Sequence, residues 1–257
     1  MGVLLDALAV IPARYGSTRF PGKPLACQTG KPMIQHVVER ANRAKHIGRV
    51  LVATDDRRIY DAVLNFADAP GARAVPVMTG EHDNGTSRIA QAVIEHGGDL
   101  GDEAIIVNIQ GDEPQICPDV IDGLVEGLAR DGDCPMATLG SEFMADEDPA
   151  DVNIVKLVVD QRGRAIYFSR SVIPHNRDGD SEVVLLKHPG CYAYRKGFLL
   201  EYVKLNATPL ERAEKLEQLR AIEHGYRIAV IQMHVAHTGI DTPEQYAKFV
   251  AQVKNGA

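Results

Sequence analysis

The stretch "EAIIVNIQGDEP", residues 103–114, decides the fold class. Ala104, Ile105, Ile106, Val107 and Ile109 form a nearly unbroken apolar run that stops at Gln110-Gly111-Asp112-Glu113-Pro114. A strand with one solvated face alternates apolar and polar residues, whereas a strand apolar along its length is covered on both faces. That is the pattern of a parallel sheet packed between helices. Neighbouring segments repeat it. Residues 7–12, "GRVLVATDD" (48–56), "ARAVPVM" (72–78) and "CPMATLG" (134–140) read as strands, with Pro76 marking an edge or a bulge. Between them lie helical segments, "KPMIQHVVERANRAKH" (31–46), "RRIYDAVLNFA" (57–67), "SRIAQAVIEHG" (87–97) and "PDVIDGLVEGLAR" (118–130).

After Asp151 the texture changes. "IVKLVVDQRGRAIYFS" (154–169) reads as a hairpin, followed by the polar loop "HNRDGDSE" and a strand-like "GCYAY". A helix around Phe198 to Val203 and a second one over "LERAEKLEQLRAIEHG" (210–225) precede a last strand, "RIAVIQM". In "TGIDTPEQYAKFVAQV" (238–253), Thr242 and Gln245 make a capping box around Pro243 for a final helix. The whole, residues 1–257, reads as one α/β domain. Its sheet is mainly parallel and Rossmann-like, with helices on both faces, and a hairpin-rich section extends it.

Composition narrows the function classes. At 257 residues, 45% hydrophobic and 25% charged, the chain is long enough to fold around its own core without staples. A net charge of −7 argues against nonspecific binding to nucleic acid or acidic membranes. Cys27, Cys117, Cys134 and Cys191 form no CxxC and no zinc spacing, which points to reduced thiols in a cytoplasmic protein. No apolar run is long enough to span a bilayer, and the N-terminal "MGVLLDALAV" lacks the basic n-region of a signal peptide. His234 and His237 are spaced as HxxH, but they leave a strand rather than share a helix face, so a metal pair is not expected.

A local cationic site stands against this acidic background. In "AVIPARYGSTRFPGKPL", residues 9–25, the first strand breaks into a loop carrying Arg14, Arg19 and Lys23 beside Gly16 and Gly22. Loops at the carboxyl ends of parallel strands bind ligands, and glycines let backbone amides approach an anion. A polyphosphate is the natural ligand; a solvated basic loop is the alternative. The loop is neither a GxxxxGK[ST] phosphate loop nor a GxGxxG fingerprint, which leaves a nicotinamide-dependent dehydrogenase without its motif. Asp112 and Asp241 also fall at strand ends, where they could share a magnesium ion over phosphates; a turn explains Asp112 equally well, and a helix N-terminus is the alternative for Asp241, although Thr242 already supplies that cap. Asp55 and Asp56 are weaker metal candidates of the same kind.

"IPARYGSTRFPGKPL", "NIQGDEP", "IYFSR", "LEQLR" and "TGIDTPE" occur in this order and cover nearly the whole chain. Together they resemble the 3-deoxy-manno-octulosonate cytidylyltransferase (CMP-Kdo synthetase) family of the sugar nucleotidyltransferase superfamily. The resemblance implies transfer of CMP from CTP to the anomeric hydroxyl of a 3-deoxy-ulosonic acid, with release of pyrophosphate, for lipopolysaccharide synthesis. It implies Mg2+ as cofactor on Asp112 and Asp241, with Lys23 as a third catalytic residue. It implies nucleotide contacts from Arg14, Gly16, Ser17, Arg19, Lys23, Asn84, Gly85 and Thr86. Arg88, Gln110, Arg170, His188, Tyr192, Glu217 and Gln218 would line the sugar-acid pocket. Residues 152–206 would form a sugar-binding and dimerisation subregion of a homodimer.

Away from the resemblance, Glu217 and Gln218 read as solvated positions on a helix that buries Leu216, Leu219 and Ile222. The chain also departs from the family pattern in three motifs. Ser87 stands where an acid is common, "HPGCYAY" where "HxGIYGY" is common, and His175 where an aromatic is common. All three fall toward the implied sugar end, which brings 8-amino-Kdo or a sialic-type acid in as alternative substrates. A non-catalytic nucleotide-binding protein is the alternative of another class.

Overall fold

The computed structural model describes residues 5–179, 183–236 and 239–255, so His237 and the start of "TGIDTPE" lie outside the described residues. Strand β1 (Ala7–Ala13) pairs in parallel with β2 (Ile47–Thr54) on one side and with β4 (Ile105–Asn108) on the other. β3 (Val75–Met78), the strand with Pro76, lies beyond β2 at the sheet edge, where a residue lacking an N–H costs least. The alternating residues of β1 enter two cores. Ala7, Ala9, Ile11 and Ala13 pack with helices α1 (Met33–Arg43), α2 (Arg57–Phe66) and α4 (Pro118–Arg130). Leu8 and Val10 pack with α3 (Gly85–His96) and α5 (Lys196–Tyr202). β4 does the same: Ile105 and Val107 face one core and Ile106 the other, as the unbroken apolar run requires.

β4 and β5 (Met136–Glu142) are not direct neighbours. Between them, antiparallel to both, runs β9 (Tyr192–Arg195), the "CYAY" segment. The hairpin-rich section therefore extends the sheet and also supplies one of its central strands. β10 (Ile228–Gln232) pairs in parallel with β5. The end of β5, at Ser141–Glu142, passes to β8 (Leu186–Lys187), and from there the sheet continues through β6 (Lys156–Val159) to β7 (Ala165–Ser169). The register across β4, β9 and β5 aligns Asn108, Tyr192 and Thr138 in one row. Paired residues on adjacent strands project to the same face.

The expected single helix over 210–225 is two. α6 (Pro209–Glu214) ends at Lys215, whose backbone is left-handed at φ 55°, and α7 (Leu219–Glu223) starts four residues later. Arg220 of α7 reaches back to Glu211 of α6, Nε to Oε2 at 2.8 Å, fixing the angle between them. The last helix, α8 (Pro243–Lys254), carries the expected capping box and packs Tyr246, Phe249 and Val250 against Met33 and Ile240. Among the described residues no helix is long and apolar enough to cross a membrane.

Candidate active site

The basic loop folds back over the end of its own strand. Gly22 has φ 71°, and a Cβ there would stand 2.9 Å from the Tyr15 ring, so glycine is required both by conformation and by space. It introduces a short 3-10 turn, Lys23–Leu25, that turns Lys23 toward the sheet. The Lys23 ammonium donates to Asp112 Oδ2 at 2.6 Å, to Asp241 Oδ1 at 3.0 Å and to the Ile240 carbonyl at 3.0 Å. Arg19 pairs with the other oxygen of Asp241 at 2.8 Å. Asp241 is held from behind, because its backbone N–H donates to the capping Gln245. Residues 89 and 218 positions apart from Lys23 thus converge on one cation.

Burial raises the Asp112 carboxyl above its ordinary value. Lys23 opposes that shift, while the Glu113 and Asp241 charges add to it. A carboxylate such as Asp112 that keeps an elevated proton affinity beside an ammonium is short of positive charge. Glu113 accepts from the Cys191 thiol at 3.1 Å, which ties the Asp112 turn to β9.

These groups line a cavity of about 510 Å³. Arg14, Gly16, Ser17, Arg19 and Lys23 form one wall, Asn84 and Gly85 the other, with Gln110 and Asp112 between them. Asn84 caps α3 by accepting from the Ser87 N–H, so the wall ends in a helix N-terminus. Its positive dipole end adds to the cationic field of the loop. A second cavity of about 100 Å³ shares Gly85 and Gln110 with the first. Thr86 lines this one, with Asn108, Tyr192, Tyr194, Tyr202, Glu217 and Gln218.

The break at Lys215 is what brings Glu217 and Gln218 there, and it overturns the solvated reading of both. Gln218 is 4% exposed. Glu217 accepts from Thr86 Oγ1 at 3.2 Å, and burial raises its carboxyl above the ordinary value against the Thr86 hydrogen bond and Arg220. Tyr202 donates its hydroxyl to the Glu217 carbonyl at 2.6 Å.

Three expected sugar contacts sit elsewhere. Arg88 borders the larger cavity, but it is 4% exposed and its guanidinium is spent on Asp55 at 2.6 Å and Thr79 at 2.7 Å. Packing of α3 against β2 buries it and supplies its counter-charge. Arg170 lines neither cavity; it donates to the carbonyls of Glu214 and Val152 and clasps the hairpin to α6. His188 stands behind Gln218, its ring edge-on to Phe168 and Tyr192, and burial drops its pKa to about 3.

The sequence reading missed Asn108, Tyr194 and Tyr202. Asn108 left a signal, a polar residue inside the most apolar strand, 2% exposed and with no hydrogen-bond partner for its side-chain oxygen among the described residues. The tyrosines left none, since their positions depend on β9 entering the sheet. Of the candidate acids at the second strand, Asp56 caps α2 through the Arg58 N–H and Asp55 belongs to Arg88.

Comparison with known proteins fits this geometry. The cytidylyltransferase family model matches residues 8–228. A 3-deoxy-manno-octulosonate cytidylyltransferase from Syntrophotalea carbinolica is 46% identical, over 97% of this chain and 99% of its own length. One from Geobacter sulfurreducens is 44% identical, over 97% and 100%. The chain belongs to the 3-deoxy-manno-octulosonate cytidylyltransferase family.

Among solved structures, a CMP:2-keto-3-deoxy-manno-octonic acid synthetase complexed with CTP superposes with a TM-score of 0.88 at 41% identity, covering 98% of this chain and 100% of that one. The inositol-1-phosphate CTP transferase of T. maritima, at 12% identity and a TM-score of 0.65, shares the fold. Three of the residues read as departures from the family pattern now have places. Ser87 contacts His82 on α3's flank, Cys191 contacts Glu113, and His175 is exposed and lines neither cavity.

Proposed function

We propose that the protein is a magnesium-dependent nucleotidyltransferase that transfers CMP from CTP to 3-deoxy-manno-octulosonate, releasing pyrophosphate. The observation that carries this reading is the convergence of Asp112 and Asp241 on Lys23 at the floor of a cation-lined cavity that opens into a small polar pocket. Arg14, Arg19 and Lys23 hold the triphosphate, assisted by the N-terminus of α3. The sugar acid occupies the smaller pocket, with Gln110 and Gly85 at the junction where its anomeric hydroxyl meets the α-phosphorus. That hydroxyl displaces pyrophosphate in line, so the chain's task is to place the two reactants and offset charge on the phosphate oxygens.

Asp112 and Asp241 fit a magnesium ion, because Mg2+ is commonly held by one or two carboxylates together with substrate phosphates. Substrate phosphates and water would supply the remaining ligands. The ion supplies charge neutralisation for the departing pyrophosphate. We also propose a homodimer through the hairpin-rich section, where Val152, Ile166, Val172, Val183 and Val184 are exposed.

A pyrophosphate-release panel tests the reading, with CTP and other nucleotides crossed with Kdo, 8-amino-Kdo and sialic acid, with and without EDTA. Release only with CTP and Kdo, abolished by EDTA and restored by Mg2+, is expected. Preference for the amino sugar changes the substrate, and no release with any pair leaves a nucleotide-binding protein.

A further inference from the structure

The small pocket is oriented by a chain of hydrogen bonds that begins outside it. Thr138 of β5 has no exposed surface and does not line either cavity. Its Oγ1 lies 2.7 Å from the Cys191 carbonyl and 2.8 Å from His188 Nε2. A carbonyl can only accept, so the single hydroxyl proton of Thr138 goes to Cys191. The Thr138 oxygen is then an acceptor toward His188, and Nε2 must carry the imidazole proton. This leaves Nδ1 as the bare nitrogen. Gln218 places its amide nitrogen 3.4 Å from that Nδ1. With its NH₂ directed at the ring, the Gln218 carbonyl oxygen is the end left for the pocket.

We propose that Thr138 is a positioning residue for the sugar acid: by fixing the His188 tautomer it orients the Gln218 amide so that the pocket meets an acceptor. The inference rests on the reading of the small pocket as the sugar-acid site. Two of the pocket's other polar groups agree with it. Asn108 presents a buried side-chain oxygen without a partner among the described residues, and Glu217 presents a carboxylate. Asn108, Tyr192 and Thr138 share one row of the sheet, so the acceptor and the residue that sets the chain are held by the same backbone ladder. Acceptors at these three side chains suit the hydroxyl donors of a polyol sugar acid. Burial keeps His188 neutral far below neutral pH, so its tautomer, not its charge, is the variable.

The test has a spectroscopic and a kinetic arm. Nitrogen-15 spectra of the wild-type protein labelled at histidine report the tautomer of His188 directly, with no variant required; His188→Gln assigns the signal. The Nε2–H form is expected, and the Nδ1–H form overturns the proposal even if the enzyme turns Kdo over. Thr138→Val keeps the shape and removes the hydroxyl, and Thr138→Ser restores it. In Thr138→Val the His188 signal moves off the pure Nε2–H form. The KM for Kdo rises about tenfold, the loss of one net hydrogen bond, while the KM for CTP holds. Thr138→Ser returns both readouts to wild type. Equal KM increases for both substrates, or equal damage in Val and Ser, assign Thr138 a structural role only. If no sugar acid is turned over, the kinetic arm falls with the functional reading, while the spectra still decide whether Thr138 sets the tautomer.

Discussion

The two cavities meet at Gln110 and Gly85 but are built from opposite materials. The larger one is charged: Arg14 and Arg19 are exposed, and Lys23 is shared by two carboxylates from distant parts of the chain. The smaller one is nearly neutral: three tyrosines, three side-chain amides, one threonine and a single carboxylate of raised pKa line it. A charged end works through field strength and tolerates some looseness. A neutral end works through hydrogen-bond direction and tolerates little. Substitutions at the first should therefore act on turnover, and substitutions at the second on sugar affinity and on stability.

The strongest way to break that contrast is Asp112→Asn. The variant keeps the size of the side chain and removes the charge that holds Lys23 and the proposed magnesium. A fall in kcat of about 10²–10³-fold is expected, the scale seen when one electrostatic contributor to a transition state is removed. Circular dichroism and the unfolding midpoint should stay near wild type, because the deleted charge was itself disfavoured by burial. Steady-state pyrophosphate release measures it, and turnover close to wild type would remove Asp112 from the reaction.

The same contrast explains what could be read from the sequence. The charged end is written in contiguous motifs, "PARYGSTRFPGKPL" and "QGDEP", because a phosphate loop needs its glycines and cations in one turn of chain. The parallel strands were legible as well, since burial on both faces leaves apolar runs. The neutral end is assembled across the sheet. Thr138 reads as one more residue of a strand, and Tyr194 only as part of "CYAY", until β9 is seen to lie between β4 and β5. Arg88 misled in the opposite direction: its position beside "NGT" was right, but nothing local reveals that Asp55 waits across the core to neutralise it.

Glu217→Gln probes the neutral end with a smaller effect and a definite sign. Burial raises the folded-state pKa of Glu217 above its ordinary value. A carboxyl raised on folding contributes stability that is fully present below its unfolded pKa and is lost as pH rises through the folded value. At about pH 8, well above the ordinary carboxylate range, folding therefore works against the ionised form of Glu217, a cost the glutamine variant does not carry. The variant should melt a few degrees higher at that pH, and the gap should close as the pH falls toward the ordinary carboxylate pKa. The KM for Kdo should rise several-fold while the KM for CTP is unchanged. Melting curves at two pH values check the sign, and a variant less stable at the higher pH would show that Thr86 and Arg220 outweigh burial.

The smallest effect expected is at Lys215, and it tests whether the neutral end depends on the break in its helix. Lys215 sits at φ 55°, ψ 45°, with its N–H on the Glu211 carbonyl, and two residues later the chain delivers Glu217 to the pocket. Glycine adopts this conformation freely but is more flexible when unfolded, so Lys215→Gly should change stability by less than about 0.5 kcal/mol. A β-branched residue resists it, so Lys215→Val should cost roughly 1 kcal/mol more than lysine does. If the left-handed turn is what seats Glu217 and Gln218, the valine variant also raises the KM for Kdo and leaves that for CTP alone. If valine lowers the midpoint without touching either KM, the neutral end is held by the Arg220–Glu211 pair and the Tyr202 hydrogen bond instead, and the break merely accommodates them.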